Sequence, residues 1–190
     1  MTGSQNKTLK SLGLFTTVQA EKIGFSRPAL SRMVESGELS RVGRGLYIHK
    51  GAKTSEDIGF QIACAKFGPE AAIGGLSALF HYNLAEQVPQ ETWVIVPPET
   101  RTKEKGYRLM RTKAPLNVGV TTKNGYKIAT VERALVEGLR FASKIGERTA
   151  IGAVRKAFAQ KLTNQAKLGR TAKELGLLSA VQRFFEAIVA

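Results

Sequence analysis

The chain has 190 residues, 43% of them hydrophobic, and its 29 Lys and Arg against 15 Asp and Glu give a net charge of +14. A length of this order accommodates a buried core and one or two domains. No apolar run reaches the roughly 20 residues of a membrane-spanning helix, and the polar start is unlike a secretory signal, so we expect a cytoplasmic protein without a membrane partner.

The positive charge is concentrated in blocks. Residues 101–130 contain eight basic residues and one acidic residue, whereas residues 57–100 contain one basic and five acidic residues. Charge spread evenly for solubility would not leave this acidic gap, and an excess of this size predicts attraction to polyanions. For the basic residues of 131–190, solvation of a helical surface remains an alternative.

The first two predicted helices are short. One ends at Gly13, and the next covers residues 18–23. Either Thr16 or Thr17 can cap the second helix, and Thr16 with Gln19 has the spacing of a capping box. Gly24 then predicts its end, because glycine readily adopts the left-handed conformation that closes helices.

A third helix is predicted from Ser26, which caps it, to about Ser36, with Pro28 in the first turn and Gly37 after it. Its inward face consists of Leu30, Met33 and Val34. Its outward face consists of Arg27, Pro28, Ser31, Arg32 and Glu35.

The outward face has the composition of a DNA-recognition helix. Such helices present their first turns to base edges in the major groove, where arginine binds guanine and serine reaches a base or a phosphate. We therefore assign Arg27, Ser31 and Arg32 to DNA contacts. Taken alone, an ordinary amphipathic helix with solvated arginines explains the same pattern.

A hairpin follows this helix. Residues 39–41 and 46–49 alternate as strands around the turn Val42-Gly-Arg-Gly45. A glycine-rich tip can approach the sugar–phosphate backbone closely, and arginine at such a tip contacts phosphate or enters the minor groove. The predicted DNA contacts of this wing are Arg41, Arg44, Tyr47 and Lys50.

The remainder predicts a second domain. A polar connector at residues 51–54 separates a winged helix-turn-helix domain, 1–53, from an α+β domain, 54–190. The fold class is thus α+β, with an N-terminal winged helix-turn-helix and a mixed α/β C-terminal domain that ends in helices. The predicted elements are helices at 55–67 and 76–82, strands at 92–96, 107–112, 118–122 and 126–129, and helices at 130–143, 151–162 and 175–188.

A basic loop lies between two of these strands. Arg101, Lys103 and Lys105 fall within the block of eight basic residues, so we expect them to contact phosphate. A solvated hairpin tip is the alternative.

Catalytic chemistry has little support. Asp57 is the only aspartate, His49 and His81 are far apart in sequence, and Cys64 has no neighbouring ligand. Metal-dependent nucleases need converging carboxylates, and zinc sites need clustered cysteines or histidines. We therefore expect no metal, no cofactor and no enzymatic activity.

Residues 9–50 resemble the N-terminal domain of AbiEi antitoxins. The resemblance is carried by the helix Ser26-Arg-Pro-Ala-Leu-Ser-Arg32 and the hairpin Gly37-Glu-Leu-Ser-Arg-Val-Gly-Arg-Gly-Leu-Tyr47. It continues through Gly75-Leu-Ser-Ala-Leu79, Trp93-Val-Ile-Val-Pro97 and Thr130-Val-Glu-Arg-Ala-Leu135. Ala134 and Glu137 stand where the family usually has threonine and aspartate.

The resemblance implies a bacterial DNA-binding antitoxin of a type IV toxin–antitoxin or abortive-infection system. Such a protein represses its own promoter, with inverted repeats as the expected sites, and counters a nucleotidyltransferase-like toxin without requiring a stable complex. Two alternatives stay open on charge alone: an interaction module that docks an acidic protein, and an RNA-binding regulator.

Overall fold

The computed structural model describes residues 3–53 and 55–189 and divides the chain into two compact units, Met1–Lys66 and Phe67–Ala190. Thr54, at the predicted border between 53 and 54, lies outside the described residues. The observed division comes later in the chain, so almost all of the helix that follows this connector belongs to the first unit.

Helices and a small sheet make up the first unit. In chain order its elements are α1 (Gly3–Leu12), β1 (Leu14–Thr16), α2 (Thr17–Lys22), α3 (Arg27–Glu35), β2 (Leu39–Gly43), β3 (Leu46–His49) and α4 (Ile58–Phe67). The strands form an antiparallel sheet in the order β1-β3-β2. This arrangement of helices and a small sheet fits a winged-helix start.

Local sequence signals account for the ends of α2 and α3. Thr16 and Gln19 form the predicted capping box of α2, and Gly24, at φ +92°, follows its end. The Ser26 hydroxyl accepts a hydrogen bond from the amide of Ala29 at 3.4 Å and caps α3, as predicted. These caps satisfy amide groups that a helix leaves without partners at its start.

One core holds the first unit together. Its buried members come from α1, α2, α3, the three strands and the connection between α2 and α3: Leu9, Phe15, Ala20, Phe25, Leu30, Met33, Leu39 and Tyr47. The predicted inward face of α3 is confirmed, since Leu30 and Met33 are buried and Val34 packs against the same cluster. The opposite face of α3 is therefore left to solvent.

A mixed sheet forms the second unit with helices packed around it. Its strands are β4 (Ala72–Ile73), β5 (Thr92–Val96), β6 (Tyr107–Arg111), β7 (Val120–Lys123) and β8 (Tyr126–Ala129), in the order β6-β5-β4-β8-β7. Pairs β5–β6 and β4–β8 are parallel, and β4–β5 and β7–β8 are antiparallel. The four predicted strands join one sheet, as expected, and β4 was not predicted.

The helices of the second unit are α5 (Gly75–His81), α6 (Val131–Arg140), α7 (Ala142–Ile145), α8 (Glu147–Ala159), α9 (Gln165–Glu174), α10 (Leu178–Gln182) and α11 (Phe185–Val189). α6 is central: residues 133–139 are all buried, and it packs against α5, α8, α9 and α10. The single helix predicted over 175–188 was wrong, because the chain forms α10 and α11 there after the unpredicted α9. Among the described residues, no helix is long and apolar enough to cross a membrane.

Candidate nucleic-acid interface

The solvent-facing side of α3 carries three of the candidate residues. Arg27, Ser31 and Arg32 are exposed there, as the inward packing of Leu30 and Met33 requires. The side chain of Arg32 forms no hydrogen bond or ion pair within residues 3–53 and 55–189. Its guanidinium group therefore keeps all five of its N–H donors available for a ligand.

Arg27 has one partner within the first unit. Its Nε lies 3.2 Å from Oε1 of Glu21, and the Arg27 side chain is 78% exposed. An ion pair in water contributes only about 0–1 kcal/mol, so a phosphate or a base can displace the carboxylate at little cost.

The hairpin of β2 and β3 ends in a short, fixed tip. Arg44 and Gly45 form the turn, with Gly45 at φ +66°, where a residue with a Cβ would be strained. The Gly45 carbonyl accepts the amide of Thr17 at 2.9 Å and the Thr17 hydroxyl at 3.3 Å. The tip is thus tied to the start of α2, and an arginine at this position loses little further backbone entropy on binding.

The basic residues of the hairpin differ in their partners. Arg41 is exposed and donates from Nε to the Gly43 carbonyl at 3.3 Å. The exposed side chains of Arg44 and Lys50 have no hydrogen-bonding or ionic partner in the part of the chain that the structure describes.

Tyr47 does not share this exposure. It is 9% exposed, and its ring stacks on Phe15 with ring centroids 6.0 Å apart. Phe15 pairs with Tyr47 across β1 and β3. The structure therefore corrects the placement of Tyr47 among the exposed contact residues: it is a core residue under the wing.

His49 is engaged inside the first unit. Its Nδ1 accepts a hydrogen bond from the amide of Gly51 at 3.0 Å, which leaves Nε2 to carry the proton and donate to Oδ1 of Asn6 at 3.1 Å. These two contacts explain the histidine as a link between the end of β3 and α1.

The basic loop after β5 belongs to the second unit. Arg101 folds back on its own loop, with Nη1 donating to the carbonyls of Pro98 at 2.5 Å and Thr100 at 2.9 Å. Lys103 and Lys105 are exposed, and their side chains have no partner among the described residues.

Buried charges lie beneath the next loop of the second unit. Arg133 and Glu137 have no exposed side-chain area, with Nη2 and Oε1 3.8 Å apart, and Nη1 of Arg140 lies 3.0 Å from Oε2 of Glu137. Burial raises the pKa of Glu137, while Arg140 and Arg133 oppose that rise. The sequence motif around Arg133 supports the family resemblance, but its spacing does not predict that Arg133, Glu137 and Arg140 form a cluster of charges.

Sequence reasoning also missed Arg140 and Lys173, two basic residues that line the same cavity as Arg111 and Lys113. They come from α6 and α9, far along the chain, so no linear pattern joins them to the basic block 101–130. Within the described residues, no three His, Cys, Asp or Glu side chains are grouped where they could hold a metal ion.

Residues 8–48 match the family described as "Transcriptional regulator, AbiEi antitoxin". The match confirms the AbiEi resemblance for the segment that contains α2, α3 and nearly all of the hairpin. That family comprises regulators and antitoxins rather than enzymes. No curated protein matches the chain.

Proposed function

We propose, from the AbiEi antitoxin match over residues 8–48, that this chain is a transcriptional repressor that binds duplex DNA through a winged helix-turn-helix in its first unit. The observation that carries the proposal is the pair of exposed arginines without internal partners, Arg32 on α3 and Arg44 on the wing tip.

In this proposal α3 lies in the major groove. Its first turns present Arg27 and Ser31, and Arg32 follows on the exposed side. Arginine can donate two hydrogen bonds to O6 and N7 of guanine, which supports a sequence-dependent contribution of about 1–3 kcal/mol for each good contact. Displacing Glu21 from Arg27 is a minor cost beside that gain.

The wing then holds the duplex without reading it. Arg44 contacts a phosphate or enters the minor groove, and Arg41 and Lys50 add positive charge beside it. The hydrogen bonds between Thr17 and Gly45 keep the tip in place before DNA arrives. These contacts raise affinity for any duplex and fix the register of α3.

The second unit has a separate part in the proposal. Arg101, Lys103 and Lys105 add nonspecific contacts to phosphate, and the unit carries the antitoxin activity. By the AbiEi relationship, the protein acts in the bacterial cytoplasm as part of a type IV system. It represses its own promoter and counters a nucleotidyltransferase-like toxin without a stable complex. In this account it is not an enzyme.

A pair of cellular assays tests whether regulation and toxin neutralisation are separate. We expect the full chain to repress a reporter placed behind the DNA upstream of its own gene. The double variant Arg27→Ala, Arg32→Ala should lose that repression, because the base contacts of α3 are gone, yet still rescue cells from the toxin encoded beside it.

Arg170→Ala is the matched control, since Arg170 is exposed on α9 and has no partner in the described chain. It should keep both activities. Repression by the double variant at the wild-type level, with equal protein abundance on a Western blot, would exclude α3 as the DNA-reading element.

A further inference from the structure

Two adjoining cavities open on the second unit. One has a volume of about 750 Å³ and the other about 710 Å³, and Lys113 lines both. Volumes in this range are typical of small-molecule sites. The two cavities adjoin, because they share the lining residues Pro98, Thr112, Lys113 and Ala114, and we call them together the Lys113 cleft.

The Lys113 cleft is strongly basic. Its cationic lining residues are Arg111, Lys113, Lys127, Arg140 and Lys173. Two acidic residues, Glu70 and Glu174, line it as well, so the cations outnumber the anions by five to two. In a concave site with low-dielectric walls, such an excess attracts a small anion more strongly than the same charges on an open surface.

The basic side chains of the cleft differ in the contacts that they already make within the second unit. Nη1 of Arg140 binds Glu137, and Nε of Arg111 donates to the Thr100 carbonyl at 2.8 Å. The side chains of Lys113 and Lys173 form no hydrogen bond or ion pair within the described ranges. These two ammonium groups, one from the loop after β6 and one from the last turn of α9, are the free donors of the cleft.

The wall of the cleft is held in place from inside the unit. Nη1 of the buried Arg133 donates to the carbonyls of Pro115, Leu116 and Val118. The segment that carries Lys113 and Leu116 is thus fixed by a side chain with no exposed area. A site fixed in this way needs little reorganisation when a ligand binds.

We propose that the Lys113 cleft binds a nucleoside polyphosphate. The chain of phosphates would lie along Lys113 and Lys173, because two free ammonium groups suit several anionic groups better than one. Apolar lining residues beside them, Leu116 and Val120 in one cavity and Leu175 and Leu177 in the other, leave a surface that can cover a nucleoside. A DNA duplex is too wide to enter cavities of this volume.

Titration calorimetry on the full chain tests this site, with ATP, GTP, CTP and UTP as separate probes and orthophosphate for comparison. We expect saturable binding of at least one nucleotide, at least tenfold tighter than orthophosphate. Lys113→Gln and Lys173→Gln should each raise that Kd by about tenfold, because each removes a charge-assisted hydrogen bond.

Lys167→Gln is the matched control: it removes the same charge from the same helix α9, at an exposed position outside the cleft. Its Kd should stay within twofold of wild type. Equal losses in all three variants, or saturable binding of no nucleotide, would overturn the proposal. A third result would also overturn it: no nucleotide binds, and the two cleft variants bind duplex DNA more weakly than the wild type. The cleft would then contact the phosphate backbone of a nucleic acid.

This inference does not depend on the proposed DNA binding. If the full chain binds duplex DNA but no nucleotide, only the proposed ligand of the cleft is contradicted. If the full chain binds a nucleotide but no duplex DNA, the proposed repressor function is contradicted and the proposed nucleotide site is not.

Discussion

Arg133 is a charged residue without exposed side-chain area, and it holds the segment between β6 and β7. Its guanidinium group spans three backbone carbonyls and the carboxylate of Glu137. The guanidinium group has no exposed area, so its donors need partners inside the unit, and the three partly buried carbonyls provide them for Nη1. The stability of this loop therefore depends on one side chain.

Replacing the Arg133 side chain should destabilise the protein strongly. We expect Arg133→Met to lower the free energy of unfolding by about 3–5 kcal/mol, because it orphans three carbonyls and leaves Glu137 with one partner fewer. Urea denaturation followed by circular dichroism measures the loss. Arg148 is exposed on α8, and its side chain forms no hydrogen bond or ion pair with the residues that the structure describes. Arg148→Met should therefore change the free energy of unfolding by no more than about 0.5 kcal/mol. Comparable losses in the two variants would contradict this role of Arg133.

At the scale of elements, the start of α5 lies unusually close to the sheet. Gly75 has φ +47°, and a Cβ there would lie 2.7 Å from both the Sδ of Met110 and a ring carbon of Trp93. Both neighbours are buried side chains of strands β6 and β5. A glycine at this position lets the helix begin directly against the strands.

Gly75→Ala should therefore destabilise the protein by about 2–4 kcal/mol, the sum of a left-handed backbone cost and overpacking of the core. The melting temperature and the urea midpoint report the change. Gly152→Ala provides the contrast: Gly152 is exposed within α8 and a Cβ there meets nothing within 4 Å, so a gain of up to about 1 kcal/mol is expected. If Gly75→Ala leaves the melting temperature and the urea midpoint unchanged, β5 and β6 can move to accommodate the added Cβ, and the prediction is wrong.

Elements with strong local signals could be predicted, and those without them could not. Local capping signals predict the start of α3 at Ser26 and the start of α2 at Thr16 or Thr17, and the structure has the caps at Ser26 and Thr16. β1 and β4 have three and two residues, too short for an alternating pattern to appear. Because β1 was missed, so was Phe15, the partner that buries Tyr47.

At the scale of the whole molecule, the charge of the sequence indicates a polyanionic ligand, which stays a prediction, but it does not indicate where the charged residues lie close together. The net charge of +14 and the basic block 101–130 indicated a polyanion. The cations of the Lys113 cleft come from four parts of the chain: β6 with the loop after it, β8, α6 with Arg140, and α9 with Lys173. Their proximity follows from the packing of α6 against α9, which no sequence period encodes.

In the proposed complex with DNA, α3 contacts the bases while the wing contacts the sugar–phosphate backbone. Fluorescence anisotropy tests it, with one duplex from upstream of the gene and one shuffled duplex of equal length, each titrated over a range of salt. Arg27→Ala and Arg32→Ala should each weaken binding to the upstream duplex by about 1–3 kcal/mol and to the shuffled duplex much less. Arg44→Ala should weaken both alike.

If about six phosphates are neutralised, the slope of log K against log salt for the wild type should be about −5. Arg170→Ala again serves as the charge-matched control and should bind both duplexes like the wild type. This arrangement of α3 and the wing should give a ratio of the two duplex affinities that falls in the α3 variants and stays unchanged in Arg44→Ala. Equal losses on both duplexes for all three variants, or a salt slope near zero, would contradict it.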